Sequence, residues 1–217
     1  MNVSIVVTSF NYGRYIERCI ESCLTQTLAR DEFEVIVVDD ASTDDTRDIL
    51  EPYRRSQDIM LLQRSQNMGV ADSANMGIRY ASGEFVVRVD ADDYVQPQFA
   101  ERLREAFLGR PDLLGVACNY RDVDDQGELI GYRSARLHPI SCGIMYNRAY
   151  WVSLGLYNPE WRDREEEELR KRLGSAYKIA YLESSLYNFV QHDTRPGIAL
   201  DHPLHYATPT EQAHASL

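Results

Sequence analysis

The chain has 217 residues, 44% of them hydrophobic, and a formal net charge of -11. That length and apolar content suffice for one full core, alone or with an appendage, and exclude collagen-like or disordered chains. The acidic balance offers no basic stripe to displace counterions from a phosphate backbone, which argues against a nucleic-acid binder.

Met1-Asn2-Val3-Ser4-Ile5-Val6-Val7-Thr8 lacks the basic start and long apolar run of a secretory leader, and reads as a strand over Val3 to Thr8. After the polar break Ser9-Phe10-Asn11-Tyr12-Gly13, residues Ile16, Cys19, Ile20, Cys23 and Leu24 recur at helical spacing, the stripe of a helix laid on a sheet. Val35 to Val38 is the next buried strand, closing in Asp39-Asp40-Ala41-Ser42-Thr43-Asp44-Asp45. Ser42, with Asp45 three residues on, suggests a capping arrangement for a helix running toward Leu50, with Asp44 and Asp45 in its first turn. Ile59 to Leu62 predicts a third strand, and Asn67-Met68-Gly69 turns into a helix from Val70 to Tyr80. A strand then ends in Val89-Asp90-Ala91-Asp92-Asp93. Pro97 opens a helix carrying Phe99, Leu103 and Phe107, which stops at Gly109-Arg110-Pro111.

Strand and helix alternate four times, the pattern of a parallel, doubly wound sheet covered on both faces. Ligands in such sheets bind beyond the carboxyl ends of the strands. Three of the four ends carry polar clusters: Thr8 to Asn11, Asp39-Asp40 and Asp90-Ala91-Asp92. Asp90 and Asp92 project from one strand end with a single residue between them. They can share a divalent ion, or divide the work between the ion and a ligand hydroxyl. In an acidic protein that arrangement repels phosphate unless a metal is interposed, so a metal-bridged, phosphorylated substrate is expected. The competing reading of D-x-D as a solvated turn weakens when three strand ends converge.

The second half is less regular. Leu113 to Tyr120 and Leu129 to Leu137 are predicted as a hairpin about Asp124-Asp125-Gln126-Gly127, Asn147 to Leu154 as a short helix, and Tyr177 to Leu182 and Leu186 to Val190 as two strands. From Gly197 onward no period is seen, and a loosely held tail is expected, with His202 and His205 in it. Between them Arg162 to Leu173 is a mixed-charge helix. Its glutamate run reads as a solvated face unless periodicity turns one member inward. Taking Leu169 as the buried direction, Glu165 lies roughly 40° away, Glu166 roughly 60° and Glu167 roughly 160°. Glu165 or Glu166 therefore borders the core, where a carboxylate can be suited to general-base work. The four cysteines, Cys19, Cys23, Cys118 and Cys142, form no C-x-x-C pair and are expected to be reduced thiols, the first two packing as small hydrophobes.

Val6 to Asn11, Val37 to Asp44, Asn67-Met68-Gly69, Ala81-Ser82-Gly83-Glu84-Phe85 and Val89 to Asp93 together resemble, in order and spacing, the family 2 inverting glycosyltransferases of GT-A fold, over roughly residues 2 to 192. The resemblance implies a mixed, mainly parallel central sheet flanked by helices. Residues 1–112 would form the nucleotide-sugar half, 113–195 the acceptor-binding and catalytic-base half, and 196–217 a C-terminal tail. It implies that Thr8, Phe10 and Asn11 line the nucleotide pocket, that Asp40, and in second place Asp39, bonds the base, usually uracil, and that Asp90 sits near the ribose or sugar. Asp92 would bind Mg²⁺ or Mn²⁺ on the diphosphate, with Asp90 and His192 as further candidate ligands.

The family's Glu-Asp base pair matches Glu165 and Glu166, the second a departure from aspartate that leaves Glu165, Glu166 or Asp163 as the base. Ser73-Ala74-Asn75 stands where an arginine often precedes the asparagine, so a phosphate or base contact is either missing or supplied by Arg64, Arg88 or Arg195. The activity implied is transfer of a sugar from a nucleotide-diphosphate donor, a UDP-sugar first, to a glycan or lipid-linked glycan acceptor in bacterial surface polysaccharide synthesis. The protein would be cytoplasmic and at most peripheral to the inner face of the membrane. Two rivals remain: a catalytically weak nucleotide-sugar-binding protein, and a metal-dependent phosphatase with Asp90 as nucleophile.

Overall fold

A computed structural model describes residues 2–161 and 164–192. Asp163, Arg195, the histidine pair and the expected tail lie outside the described residues. The first half runs β1 (Val3–Ser9), α1 (Gly13–Leu24), β2 (Phe33–Asp39), α2 (Thr46–Ser56), β3 (Met60–Gln63), α3 (Val70–Tyr80), β4 (Phe85–Asp90), β5 (Tyr94–Val95) and α4 (Phe99–Glu105). The second runs β6 (Gly115–Val123), β7 (Leu129–Arg133), β8 (Ile144–Asn147), α5 (Arg148–Ser153), α6 (Glu165–Leu173) and β9 (Ile179–Val190).

Every residue of β1 is buried, as a strand covered on both faces requires. Val3, Ile5 and Val7 meet Ile16, Cys19, Ile20 and Cys23 of α1 and Phe99 and Leu103 of α4 on one side. On the other side Val6, Ile36 and Val86 meet Ala71, Ala74 and Ile78 of α3, Trp151 of α5 and Leu169 of α6. Helix α3 lies close on β1 because residue 77 is glycine; a Cβ there would stand 2.4 Å from Val6 Cγ1.

β1 pairs in parallel with β2 and β4, and β3 continues the parallel order beyond β2. The doubly wound pattern stops at β4. β8 runs antiparallel to β4, β6 antiparallel to β8, and β9 returns parallel to β6. The result is a nine-stranded mixed sheet, β3-β2-β1-β4-β8-β6-β9-β5, with β7 hung on β6 as its hairpin partner. Helices cover both faces, the α/β architecture expected, but its antiparallel half rests on β5 and β8, strands too short to show alternation.

Several local expectations change. The two late strands are one, β9, whose extra residues are taken up by register shifts against β6 on either side of Asn119. Helix α4 ends at Glu105, and Phe107 lies in the following turn, packed on Phe85 with ring centroids 4.4 Å apart. β7 stops at Arg133, short of Leu137. Ser42 does not cap α2, which begins at Thr46 with no side-chain cap. The loop has other uses for these groups. Ser42 Oγ accepts the Asn11 N–H at 2.9 Å, and Asp44 accepts the N–H groups of Gly13 and Thr46 at 2.9 and 3.1 Å.

Candidate functional site

Strand register brings the predicted polar ends together. Thr8 of β1 lies directly opposite Asp90 of β4, and Ser9 opposite Asp39 of β2. Backbone bonds carry the alignment past the strands: Asp40 N–H donates to Ser9 O at 2.8 Å, and Ala91 N–H to Thr8 O at 3.3 Å. Three loops therefore leave the sheet side by side.

The loops are tied to one another. Asn11, at a left-handed φ of 58°, accepts the Thr43 N–H on Oδ1 at 2.8 Å, so its side chain braces the second loop against the first. Gly13 permits that approach, since a Cβ would fall 1.8 Å from Asp45 Oδ1. Asp39 is buried, accepting the Ser42 N–H at 3.0 Å and Arg47 Nε at 2.6 Å. Asp40, also buried, accepts the N–H groups of Met68 and Gly69, with Arg64 Nε 3.6 Å away. Phe10 is different: the residue is 41% exposed, an apolar side chain left uncovered in the loop after β1.

Beyond β4 the three aspartates separate in role. Asp90 Oδ1 stands 3.0 Å from Arg88 Nε. Asp92 Oδ2 lies 2.9 Å from Nε2 of His192, a side chain buried in a stack on Tyr15 (centroids 4.8 Å apart) and edge-on to Tyr12. Asp93, which the sequence did not single out, accepts the Tyr187 hydroxyl at 2.7 Å and the Val190 N–H at 2.8 Å and so locks β9 to the loop. Asp90, Asp93 and Cys142 present ligand-type atoms within 4.8 Å of one another, but Asp93 is engaged by β9. Asp92 and His192, hydrogen-bonded to each other, are a second pair whose two facing atoms could instead meet a divalent ion. A gap of about 3 Å is the spacing of adjacent ligands around an ion with bonds of about 2.1 Å. Carboxylate and imidazole are acceptable to Mn²⁺.

Helix α6 presents both candidate glutamates to the sheet face that carries Arg88. They differ in partners. Glu166 is fully enclosed: Tyr146 and Tyr157 donate to it at 2.8 and 3.0 Å, Tyr177 donates as well, and Arg170 Nε is 3.5 Å away. Burial raises its pKa, and the hydrogen bonds from Tyr177, Tyr146 and Tyr157 and the charge of Arg170 offset that only in part. Glu165 accepts Arg88 Nη1 at 2.7 Å on Oε1, and among the described residues its Oε2 takes no hydrogen bond. Asn75 of α3 supports this corner, exchanging two hydrogen bonds with the Tyr157 backbone at 2.8 and 3.1 Å. Arg64 and Arg88, expected to be available to phosphate, are engaged, Arg64 with Asp72 at 2.6 Å.

The glycosyl transferase family 2 model matches residues 4–174. The chain belongs to this family. It is 35% identical over 209 residues to the chondroitin synthase of Escherichia coli, across 90% of this chain and 30% of that protein. It is 38% identical over 205 residues to the poly(ribitol-phosphate) beta-N-acetylglucosaminyltransferase TarS of Staphylococcus aureus strain MW2, across 87% of this chain and 35% of that one. The crystal structure of a TarS fragment in complex with UDP superposes with a TM-score of 0.73 at 25% identity, covering 88% of this chain and 61% of that chain. The chain spans about a third of the length of these curated relatives.

In this family 2 chain the residues that sequence reasoning missed are the fixers. The tyrosines around Glu166 come from β8, the loop before α6 and the turn after it, and no spacing links them. Arg88, named from the sequence only as a possible phosphate or base contact, left a signal of its paired role: a charged residue among the valines of a buried strand, where an unpaired charge is rarely found.

Proposed function

We propose that this domain transfers a sugar from a UDP-sugar to an acceptor hydroxyl with inversion at the anomeric carbon. The observation that carries it is the alignment of Thr8 with Asp90 and of Ser9 with Asp39, with the Asp92 and His192 pair just beyond. Support comes from family membership and from the UDP complex of the TarS fragment. We keep residues 1–112 as the proposed donor half and 113–195 as the proposed acceptor half; β1–β5 and β6–β9 belong to one sheet. The acceptor candidates are glycans or lipid-linked glycans of bacterial surfaces; the relatives' names speak of chondroitin and of poly(ribitol-phosphate). No helix among the described residues is long and apolar enough to cross a membrane, and we place the protein in the cytoplasm, at most peripheral to the membrane.

Thr8, Phe10 and Asn11 form the nucleotide edge, with the exposed Phe10 ring as the stacking face and Asp40 and Asp39 at the base. Asp90 lies toward the ribose or sugar. Asp92 and His192 would hold Mg²⁺ or Mn²⁺, which supplies Lewis-acid stabilisation of the leaving diphosphate. Glu165 takes the acceptor proton: both glutamates are buried, but both oxygens of Glu166 already accept phenols, whereas Oε2 of Glu165 takes no hydrogen bond among the described residues. Glu166 anchors α6 instead. A phosphatase reading gains nothing from an Asp90 already paired with Arg88. The test is thermal unfolding with UDP and a panel of UDP-sugars, with and without Mn²⁺. A ligand bound only by the folded state at 100 times its Kd stabilises by about 2.7 kcal/mol. Metal-dependent stabilisation by UDP, followed by slow UDP release from one sugar, supports the reading; indifference to every nucleotide removes it, and binding without turnover leaves only the idle binding module.

A further inference from the structure

Arg88 is the one buried cation of β4, and its guanidinium touches both halves of the site. Nε stands 3.0 Å from Asp90 Oδ1 and Nη1 2.7 Å from Glu165 Oε1, while the Cζ atom sits 5.7 Å from the Tyr157 ring centroid. Burial by itself would lower the Arg88 pKa, but the carboxylates of Asp90 and Glu165 outweigh it and keep the group charged. A planar fork fixes the separation and orientation of the two carboxylates it holds; a lysine ammonium, a single point of charge on a flexible stem, does not.

We propose that Arg88 is a positioning residue of the transfer step, setting Glu165 from the same strand that carries the donor-side Asp90. By occupying Oε1 it leaves Oε2 of Glu165 as the oxygen for the acceptor hydroxyl. Because one side chain is hydrogen-bonded to Glu165 and ion-paired with Asp90, β4 ties the donor-side carboxylate to the acceptor side. Misplacing a reacting group by an ångström can cost about a hundredfold in rate. The inference rests on the reading of Glu165 as the proton acceptor.

The experiment measures UDP release from UDP-N-acetylglucosamine and UDP-glucose with Mn²⁺, water serving as acceptor, for wild type, Arg88→Lys, Glu165→Gln and the double variant. Arg88→Lys should lower kcat at least tenfold with donor KM and UDP-induced stabilisation within threefold of wild type, and the double variant should be no slower than Glu165→Gln. Wild-type kcat in Arg88→Lys, a loss confined to KM, or losses that multiply in the double variant would each overturn the role. If Arg88→Lys does not unfold cooperatively, Arg88→Gln, whose amide keeps one planar donor, carries the same comparison. A wild-type protein that neither releases nor binds UDP overturns the transfer reading and this inference with it; turnover with unimpaired Arg88 variants overturns the Arg88 role alone.

Discussion

At the scale of single residues, the site separates groups that touch a ligand from groups that hold the chain. Asp39, Asp40 and Asn11, placed at the nucleotide above, also accept loop N–H groups, so replacing them disturbs loop geometry together with donor binding. Asp92, buried and bonded to His192 at 2.9 Å, is the metal ligand proposed above. Asp92→Ala should abolish the Mn²⁺-dependent part of UDP stabilisation while leaving the melting temperature of the unliganded protein within a few degrees, read by thermal unfolding with and without metal. The glutamate pair should split in the same assay. Glu165→Gln is expected to stop UDP release with donor affinity within about threefold, whereas Glu166→Gln should release UDP at near wild-type kcat but unfold more easily. The reverse pattern would exchange their roles. From sequence alone these two could not be told apart, since 40° and 60° from the core direction are equally inward; only the three phenols, distant in the chain, make the distinction.

At the scale of elements, α6 is held less by its apolar stripe than by one buried carboxylate. Leu169 is its sole fully buried leucine, so the Glu166 contacts with β8, Tyr157 and Tyr177 do much of the docking. Glu166→Ala would leave buried phenols without partners, at about 1–3 kcal/mol each. The pH dependence follows from the raised pKa. The folded protein holds the Glu166 proton more tightly than the unfolded chain, so the stability this side chain contributes grows as pH falls through the raised value and shrinks above it. The melting temperature of wild type relative to Glu166→Gln should therefore rise on going from about pH 8 to about pH 5; a flat or opposite trend would show that burial does not govern this carboxylate. A second brace is Asn75. Asn75→Ala removes both bonds to the Tyr157 backbone and should cost about 2–3 kcal/mol, lowering the melting temperature by roughly 5–10 °C, with UDP affinity little changed.

At the scale of the whole molecule, legibility divided at β4. Val-rich strands, the turn Asn67-Met68-Gly69 and the stripe of α1 are local patterns, and the predicted bounds of α3, Val70 to Tyr80, are those observed. Because parallel topology follows from alternation, the convergence of Thr8, Asp40 and Asp90 was readable as well. What could not be read depends on contacts far apart in sequence: the antiparallel return through β8, the fusion of two strands into β9, and the burial of His192 against Tyr15, 177 residues earlier in the chain. Short strands carry too few residues for periodicity, and a histidine at the end of a strand looks superficial until its neighbours are known.

The two ends of the described chain sit very differently. Asn2 enters at the amino end of β1, seven residues of strand from Ser9 and so about 20 Å from the cleft, while His192 touches Asp92 itself. A reporter protein or affinity handle joined ahead of β1 hangs on the far side of the sheet, out of the substrate's way. The same handle spliced directly after His192 would stand in the doorway.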